Sequence, residues 1–493
     1  MDNVLIALSN LASIDAVITL LIGTLAGMMI GMLPGLSSTM GVALCIPITF
    51  NMPPELALIL LGAVYVSSVY GGSITAILLR TPGTDASIAT ALDGYPLASK
   101  GRGSEAIGMA TLSSLFGGTV SVIILIAVAP LLSKIALAFG PQEYALLAIF
   151  GLVTIIGVVS DNPAKGLVAA LAGLALGLVG LDSFTGVPRF TFGHSELFDG
   201  VPLLPVLIGL FSVSQAFNLC IPAEAGVLKK DSIVNVHGHL PLISDIKRCF
   251  RSMARSSLIG TFIGALPGAG TSIAAFISYN EARRKSKNPE NFGKGELEGI
   301  AASESANNAV TGGTLIPTLT LGIPGNAVTA VFVGGLTIHG MIPGPDLFTN
   351  FADITYTLLI SLLIANVLFA VMGIALSKYL VNVTKIPGSI LGPIILIFSI
   401  VGTYALRNEL FDVWLAAAFG LIGYFMERWK YPTAPLVIAL ILGPILEVNF
   451  RRSMQISNWD YSTFFDSYLS LAIISLVVLS VAYPLCKAWQ KNR

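Results

Sequence analysis

Two short stretches, GMLPGLSSTMG (Gly31–Gly41) and GALPGAGTS (Gly264–Ser272), place proline, glycine and hydroxyl residues inside strongly apolar sequence. Two more, YGGSITAILLRTPGTDAS (Tyr70–Ser87) and TGGTLIPTLTLGIPGNAV (Thr311–Val328), do the same further on. Such residues break a helix: proline stops the preceding turn and glycine admits a ligand to the backbone. A broken helix exposes amide donors at one new end and carbonyl acceptors at the other. The donor end carries a partial positive charge and suits a carboxylate. The acceptor end, with hydroxyls nearby, suits a coupling cation.

This chemistry singles out Gly35, Ser37, Ser38 and Thr39, then Gly71, Gly72, Ser73, Pro82, Gly83 and Thr84. The second set is Gly268, Gly270, Thr271 and Ser272, then Gly312, Gly313, Thr314, Pro324, Gly325 and Asn326. The plainer reading of each break is a kink or a close helix-packing point. Four breaks recurring in paired order favour a central binding site over four unrelated kinks.

SESANNAVTGG (Ser303–Gly313) is the most polar stretch within an apolar segment, and Glu304, Asn307 and Asn308 fall on neighbouring helical positions. Asn307 and Asn308 are expected ligands. Glu304, Thr311 and Thr84 are candidates for a coupling Na⁺ or proton, since ionisable groups at membrane depth are costly. Glu304 also lies within about two turns of the expected cytoplasmic end, where water would solvate it. Arg80 is either a counter-charge for an anionic substrate or a side chain snorkelling to the interface; its partner in the second stretch is Leu321.

Other chemistry is excluded by what the chain lacks. There is no P-loop, no complete dinucleotide fingerprint and no H-E-x-x-H, so neither ATP-driven pumping nor enzymatic activity is expected. The four cysteines are scattered without metal or disulfide spacing. No cofactor or metal is expected beyond a coupling Na⁺ or H⁺. The 27 basic residues balance 27 acidic ones, and no basic face points to nucleic acid. HGH (His237–His239) reads as a plain loop.

The elements that must position these residues are membrane helices. The chain has 493 residues, 54% hydrophobic and 11% charged, with a mean hydropathy of +0.83. Apolar segments recur from 16–33 to 464–486, each near the length that spans a bilayer, giving an all-α polytopic membrane protein with roughly 10–12 crossings. The N-terminus has no basic n-region or cleavage site, so it does not read as a removed signal peptide.

The paired motifs stand roughly 230 positions apart, which indicates a duplicated unit. Basic residues orient the copies. The connection 47–55 carries no Lys or Arg, whereas its equivalent at 281–297 carries Arg283, Arg284, Lys285, Lys287 and Lys294. The connections after the second motifs reverse this, with Lys100 and Arg102 in the first copy and none at 339–350. Basic loops stay in the cytoplasm, so the copies are expected to be inverted. The expected layout is a first repeat at 1–220 and a cytoplasmic connection at 221–256 with an interfacial amphipathic helix. A second repeat at 257–450 and an extra helix at 451–493 follow, leaving the C-terminus inside. The LPG segments read as re-entrant hairpins, though 16–50 is also long enough for two crossings. Lys134, Arg189, Arg407, Arg451 and Arg452 fall outside and are exceptions.

GMMIGMLPGLSSTMGVALCIPITF, YGGSITAILLRTPGTDAS and GALPGAGTSIAAFISY with ASESANNAVTGGTLIPTLTLGIPGN together resemble the large permease subunit of the tripartite tricarboxylate transporters. The resemblance covers essentially the whole chain. It implies a bacterial inner-membrane importer working with a small membrane subunit and a periplasmic solute-binding protein. The implied cargo is a tri- or dicarboxylate such as citrate, driven by a Na⁺ or H⁺ gradient. An elevator movement of the motif-bearing hairpins follows by analogy with other inverted-repeat carriers. The competing readings are a passive anion channel lined by the same breaks, a carrier of another small organic acid, and a membrane scaffold.

Overall fold

The computed structural model describes residues 2–33, 35–80, 83–84, 86–158, 162–220, 239–268, 270–380 and 386–491. Pro34 and Pro82, the prolines of two breaks, lie outside the described residues, as do His237 and all of 221–238 in the expected 221–256 connection.

The architecture is helical from end to end. Helices α1 (Asp2–Leu11), α2 (Ile14–Met32), α3 (Ser38–Thr49), α4 (Pro54–Leu79), α5 (Ser87–Leu97) and α6 (Gly103–Ala136) come first. Next are α7 (Pro141–Val158) and α8 (Pro163–Gly177), a two-residue antiparallel pair (Gly180–Leu181 with Pro188–Arg189), and α9 (Leu203–Leu207). A π-helical turn, Ile208–Val213, carries α9 into α10 (Ser214–Cys220). The second half contains α11 (Ile243–Ala265), α12 (Gly270–Lys285), α13 (Leu297–Leu321), α14 (Ala327–Ile338) and α15 (Ala352–Leu380). It continues with α16 (Gly388–Arg407), α17 (Leu410–Arg428) and α18 (Thr433–Ile456), and α19 (Tyr468–Lys491) closes the chain.

Eight helical stretches among the described residues are long and apolar enough to cross a membrane, and five further apolar helices are shorter. The protein is therefore a multi-pass membrane protein. The 12-residue α3 and α14 are among the short ones. At 1.5 Å per residue each reaches about 18 Å, short of a hydrocarbon core of about 30 Å. Segment 16–50 is thus one crossing-length helix followed by a short return arm, rather than two crossings.

Local sequence sets the breaks. Ser37 caps α3 by accepting from the Met40 amide, and Asn326 caps α14 through a reciprocal capping box with Thr329. Helices α4 and α13 both end on a left-handed residue, Arg80 (φ 57°) and Gly322 (φ 71°). The structural counterpart of Arg80 is therefore Gly322 rather than Leu321. The capping position needs a left-handed backbone, and α13 is one residue longer between its glycine pair and that cap.

The two central helices are α4 and α13, whose residues are almost all buried. Helix α2 lies along α4, and α11 along α13. The contact is close enough that a methyl group on Gly31 would stand 2.0 Å from the Ser68 carbonyl oxygen. Helix α6 packs on α13 and α15 on α4, completing one body. Helices α7, α8 and α18 pack together, as do α9, α10, α16 and α17, and α19 rests on α7. The short arms α3 and α14 reach from the first body to the second.

Within the stretch expected to hold an interfacial amphipathic helix, residues 243–256 form the first part of α11, continuous with the second LPG break. The outlying arginines are largely neutralised. Arg189 meets Glu447 at 2.6 Å and Asp182 at 3.3 Å, Arg451 meets Asp182 at 2.5 Å, and Arg407 pairs with Asp412. Arg451 beside Asp182 holds that carboxyl well below the usual range.

Candidate functional site

A cavity of about 470 Å³ lies between the two bodies. One wall comes from the breaks: Ser37 and Thr39 at the start of α3, Gly268, Gly270, Thr271 and Ser272 at the start of α12, and Asn326 at the start of α14. The opposite wall comes from Phe211 of the π-helical turn, Ser214 and Gln215 of α10, Gly423 and Glu427 of α17, and Tyr431 and Thr433 before and in α18. Three helix N-termini thus border one space. Their unpaired amides and partial positive charge favour an anion there.

The second break is fastened by its backbone. The Gly268 amide donates to the Gly325 carbonyl at 2.7 Å, tying the LPG break to the IPG break. Gly268 is left-handed (φ 81°), and a methyl group on it would stand 2.6 Å from the Ile155 Cα. Both the conformation and the close approach require glycine there. The position equivalent to Ser37 is Gly270, which has no side chain to cap its helix.

Among the described residues no Lys or Arg lines the cavity, and Glu427 is its one carboxylate; it accepts from Gln215 Nε2 and Asn218 Nδ2, both at 2.7 Å. The Lys165 ammonium is nearby, donating to the Trp429 carbonyl at 2.6 Å and lying 5.0 Å from the centre of the Tyr431 ring. Arg80 is elsewhere: it is exposed, with its guanidinium 5.7 Å from the Tyr95 ring centre.

The remaining expected residues do not line this cavity. Gly35 (φ 87°) forms the turn just before it, and Ser38 is buried behind Ser37 with its hydroxyl unpartnered. Gly72, Gly313 and Gly325 are close-packing points against Thr84, the Thr261 carbonyl and Thr314 respectively. Thr84 presses on Gly72, and its buried hydroxyl has no partner. The Thr311 hydroxyl is used within α13, on the Asn308 carbonyl at 2.7 Å. Thr314 is 2.9 Å from the Tyr65 hydroxyl, which in turn receives Asn326 Nδ2 at 3.2 Å. Tyr65 therefore links the buried α4–α13 interface to a cavity-lining side chain.

A second polar group lies inside the first body. Glu304 has no solvent exposure, which removes the reading that water solvates it near the helix end. Its carboxylate receives the hydroxyls of Ser73 at 2.7 Å, Ser114 at 2.8 Å, and Thr90. Ser73 thus belongs to this group and not to the cavity. Asn308 Nδ2 donates to the Val66 carbonyl at 3.3 Å, while Asn308 Oδ1 and both amide atoms of Asn307 have no hydrogen-bond partner. Sequence reasoning missed Tyr65, Thr90, Ser114, Gln215 and Glu427. Single polar residues in otherwise apolar helices carry no pattern that marks them. Among the described residues no cluster of three or more His, Cys, Asp or Glu could hold a metal ion.

A multi-pass helical protein with broken helices opening onto a cavity between two helical bodies has the form of a membrane transporter component. Residues 17–438 match the tripartite tricarboxylate transporter TctA family, and the chain belongs to that family. It is 36% identical over 473 residues to a protein described as an uncharacterized 52.8 kDa protein in the TAR-I ttuC' 3' region of Agrobacterium vitis. That match covers 96% of this chain and 93% of the relative. A second Agrobacterium vitis protein, from the TAR-II ttuC' 3' region, is 37% identical over 234 residues, covering 48% of this chain and 97% of the relative. No solved structure matches the chain.

Proposed function

We propose that the chain is the large permease subunit of a tripartite, binding-protein-dependent secondary transporter that imports a tri- or dicarboxylate of the citrate kind. The observation that carries this reading is the shared cavity. Ser37 and Thr39 of one LPG break face it together with Gly268, Gly270, Thr271 and Ser272 of the other. A carboxylate there would be held by helix N-termini and hydroxyls, with a Na⁺ or H⁺ gradient supplying the drive.

Inverted repeats are supported by the recurrence of order and packing. Helix α2 breaks into α3 and lies on α4, as α11 breaks into α12 and lies on α13. The crossed packing of α6 on α13 and α15 on α4 completes the exchange, and α1 and α19 are left unmatched. An elevator movement would slide the body of α2–α6 and α11–α15 against that of α7–α10 and α16–α19. By the charge rule, Glu427, Lys165 and Tyr431 mark the cytoplasmic mouth of the cavity, which makes this the inward-open arrangement, with the C-terminus in the cytoplasm. The partners are a small membrane subunit and a periplasmic solute-binding protein, in a bacterial inner membrane.

Uptake by the reconstituted complex, measured across candidate carboxylates with Na⁺ and pH varied separately, tests the reading. Saturable flux that collapses without an ion gradient is expected. Ohmic conductance, or no flux of any carboxylate, would overturn it.

A further inference from the structure

The Glu304 group is built from four helices of the inner body. Glu304 stands on α13, and its three hydroxyl donors come from α4 (Ser73), α5 (Thr90) and α6 (Ser114). Thr90 also contacts Ser303 at 3.1 Å. Asn307, one turn along α13, approaches the same carboxylate, yet neither of its amide atoms reaches hydrogen-bond geometry. On α6 the buried Ser113 hydroxyl is also unpartnered. Buried polar atoms are paired in all but roughly a tenth of cases, so orphaned amide atoms beside a buried carboxylate call for an explanation.

The charged groups on the surrounding helices do not supply one. Tyr70 of α4 lies close enough to feel the carboxylate, but its hydroxyl is engaged with Thr111 at 2.7 Å. Asp93 of α5 is held by the Tyr279 hydroxyl and by the amides of Gly293, Gly295 and Glu296, all at 2.8 Å. On α6, Arg102 pairs with Glu105, and Arg255 of α11 pairs with Glu281 of α12. Glu298, at the start of α13, takes the hydroxyls of Ser252 and Ser286. Asp346, in the short turn after α14, receives the Asn350 side chain. Among the described residues nothing cationic offsets Glu304, and an uncompensated carboxylate at membrane depth is costly.

We propose, building on the carrier reading above, that Glu304 is the site of the coupling proton, held among the hydroxyls of Ser73, Thr90 and Ser114 beside the Asn307 amide. The step is a proton transfer alone: hydronium on one side of the membrane gives its proton to the carboxylate, which returns it to water on the other side. The oxygen spacing favours a proton over Na⁺. Ser73 and Ser114 stand 2.7 and 2.8 Å from the carboxylate oxygens, which is hydrogen-bond spacing. Oxygens sharing a cation at about 2.4 Å would stand roughly 3.4 Å apart, so a metal ion would have to spread the helices. A proton needs no such room. It turns one acceptor oxygen into a donor. A hydroxyl facing that oxygen can then accept where it donated, which changes how α13 is tied to the neighbouring helices.

Infrared difference spectroscopy of the whole transporter in detergent tests the site without relying on transport. The protonated-carboxyl band should vanish on alkalinisation and be missing in Glu304→Gln. In proteoliposomes containing the complete complex, Glu304→Gln should retain measurable counterflow but lose at least tenfold in accumulation driven by a pH gradient. Asn307→Ala should shift the midpoint of the band, and it serves as the test should Glu304→Gln fail to insert. The proposal is overturned by an identical band in Glu304→Gln or an unmoved midpoint in Asn307→Ala. Accumulation driven by Na⁺ alone would overturn it too. If wild-type protein neither accumulates nor exchanges any carboxylate, the carrier reading fails, and the infrared titration still decides Glu304.

Discussion

At the first LPG break, Leu33 and Leu36 are buried against Met40, Ala216 of α10 and Ile395 of α16, and the nearest atom to a side chain added at Gly35 would be Leu219 Cδ2 at 3.5 Å. At the second, the Gly268 amide is bonded to Gly325, and the nearest atom to an added side chain is the Ile155 Cα at 2.6 Å. One break is seated by side chains that can shift a little, the other by backbone that cannot. The caps differ in the same direction. Ser37 uses its hydroxyl on the Met40 amide, while Gly270 in the equivalent place has no side chain to offer. Related sequences have thus produced one break that spends a hydroxyl on its helix end and one that presents a glycine in the same place. The carboxylate of a substrate is expected to lean on the second.

The sharpest way to break this comparison is at the two left-handed glycines. Gly268→Ala should reduce uptake by about a hundredfold or more with the protein still inserted, since strain of about 1–3 kcal/mol adds to a clash with α7 backbone. Gly35→Ala carries only the strain and should lose about tenfold. Equal losses in reconstituted uptake would erase the distinction. A bulkier Gly35→Leu or Gly268→Leu should abolish uptake in either half.

The next largest effect is expected at the caps. Asn326→Ala removes a capping box and the bond to Tyr65 at the cavity wall, and should raise the KM for the carboxylate about tenfold. Ser37→Ala removes a cap of about 1 kcal/mol but also frees the Met40 amide. Its KM should change less than threefold, and a larger effect than Asn326→Ala would reverse the ranking of the two halves. Tyr65→Phe should weaken the α4–α13 tie by about 1 kcal/mol, read as a lower unfolding midpoint in detergent.

The smallest effect is a pH dependence at the opposite end of the molecule. Asp182, held by Arg451 from the second half, has a folded-state pKa below its unfolded value. Its contribution is therefore complete above the ordinary carboxylate range and is lost only as pH falls through the depressed value. Hydrogen exchange of the 180–189 pair should be protected equally across pH 5 to 8, corrected for intrinsic rates, and loosen only in stronger acid. Loss of protection within the neutral range would disprove the pairing.

Much of this was legible beforehand for a physical reason. A proline, a glycine and hydroxyls inside an apolar run conflict with an unbroken helix, so the positions of Gly35, Gly268, Gly325 and Asn326 announce themselves. What the pattern could not do is separate a glycine that borders a cavity from one that admits a neighbouring helix. Gly268 borders the cavity, Gly313 admits α11, and Gly72 admits Thr84 of the turn after α4. Ser73 looked like a companion of the cavity and is instead a donor to Glu304. Arg80, readable as a counter-charge or as a snorkelling side chain, is exposed over Tyr95.

By itself, then, the sequence determined the membrane class, the breaks and their doubling, because hydropathy, helix-stopping residues and loop charge act locally along the chain. Only the tertiary structure decided which polar residues meet. Ser37 and Thr271 face one cavity, and Ser73, Thr90, Ser114 and Glu304 gather in another place, because helices distant in sequence pack face to face. Contacts of that kind depend on the rotation and depth of each helix, quantities that no local pattern of residues encodes.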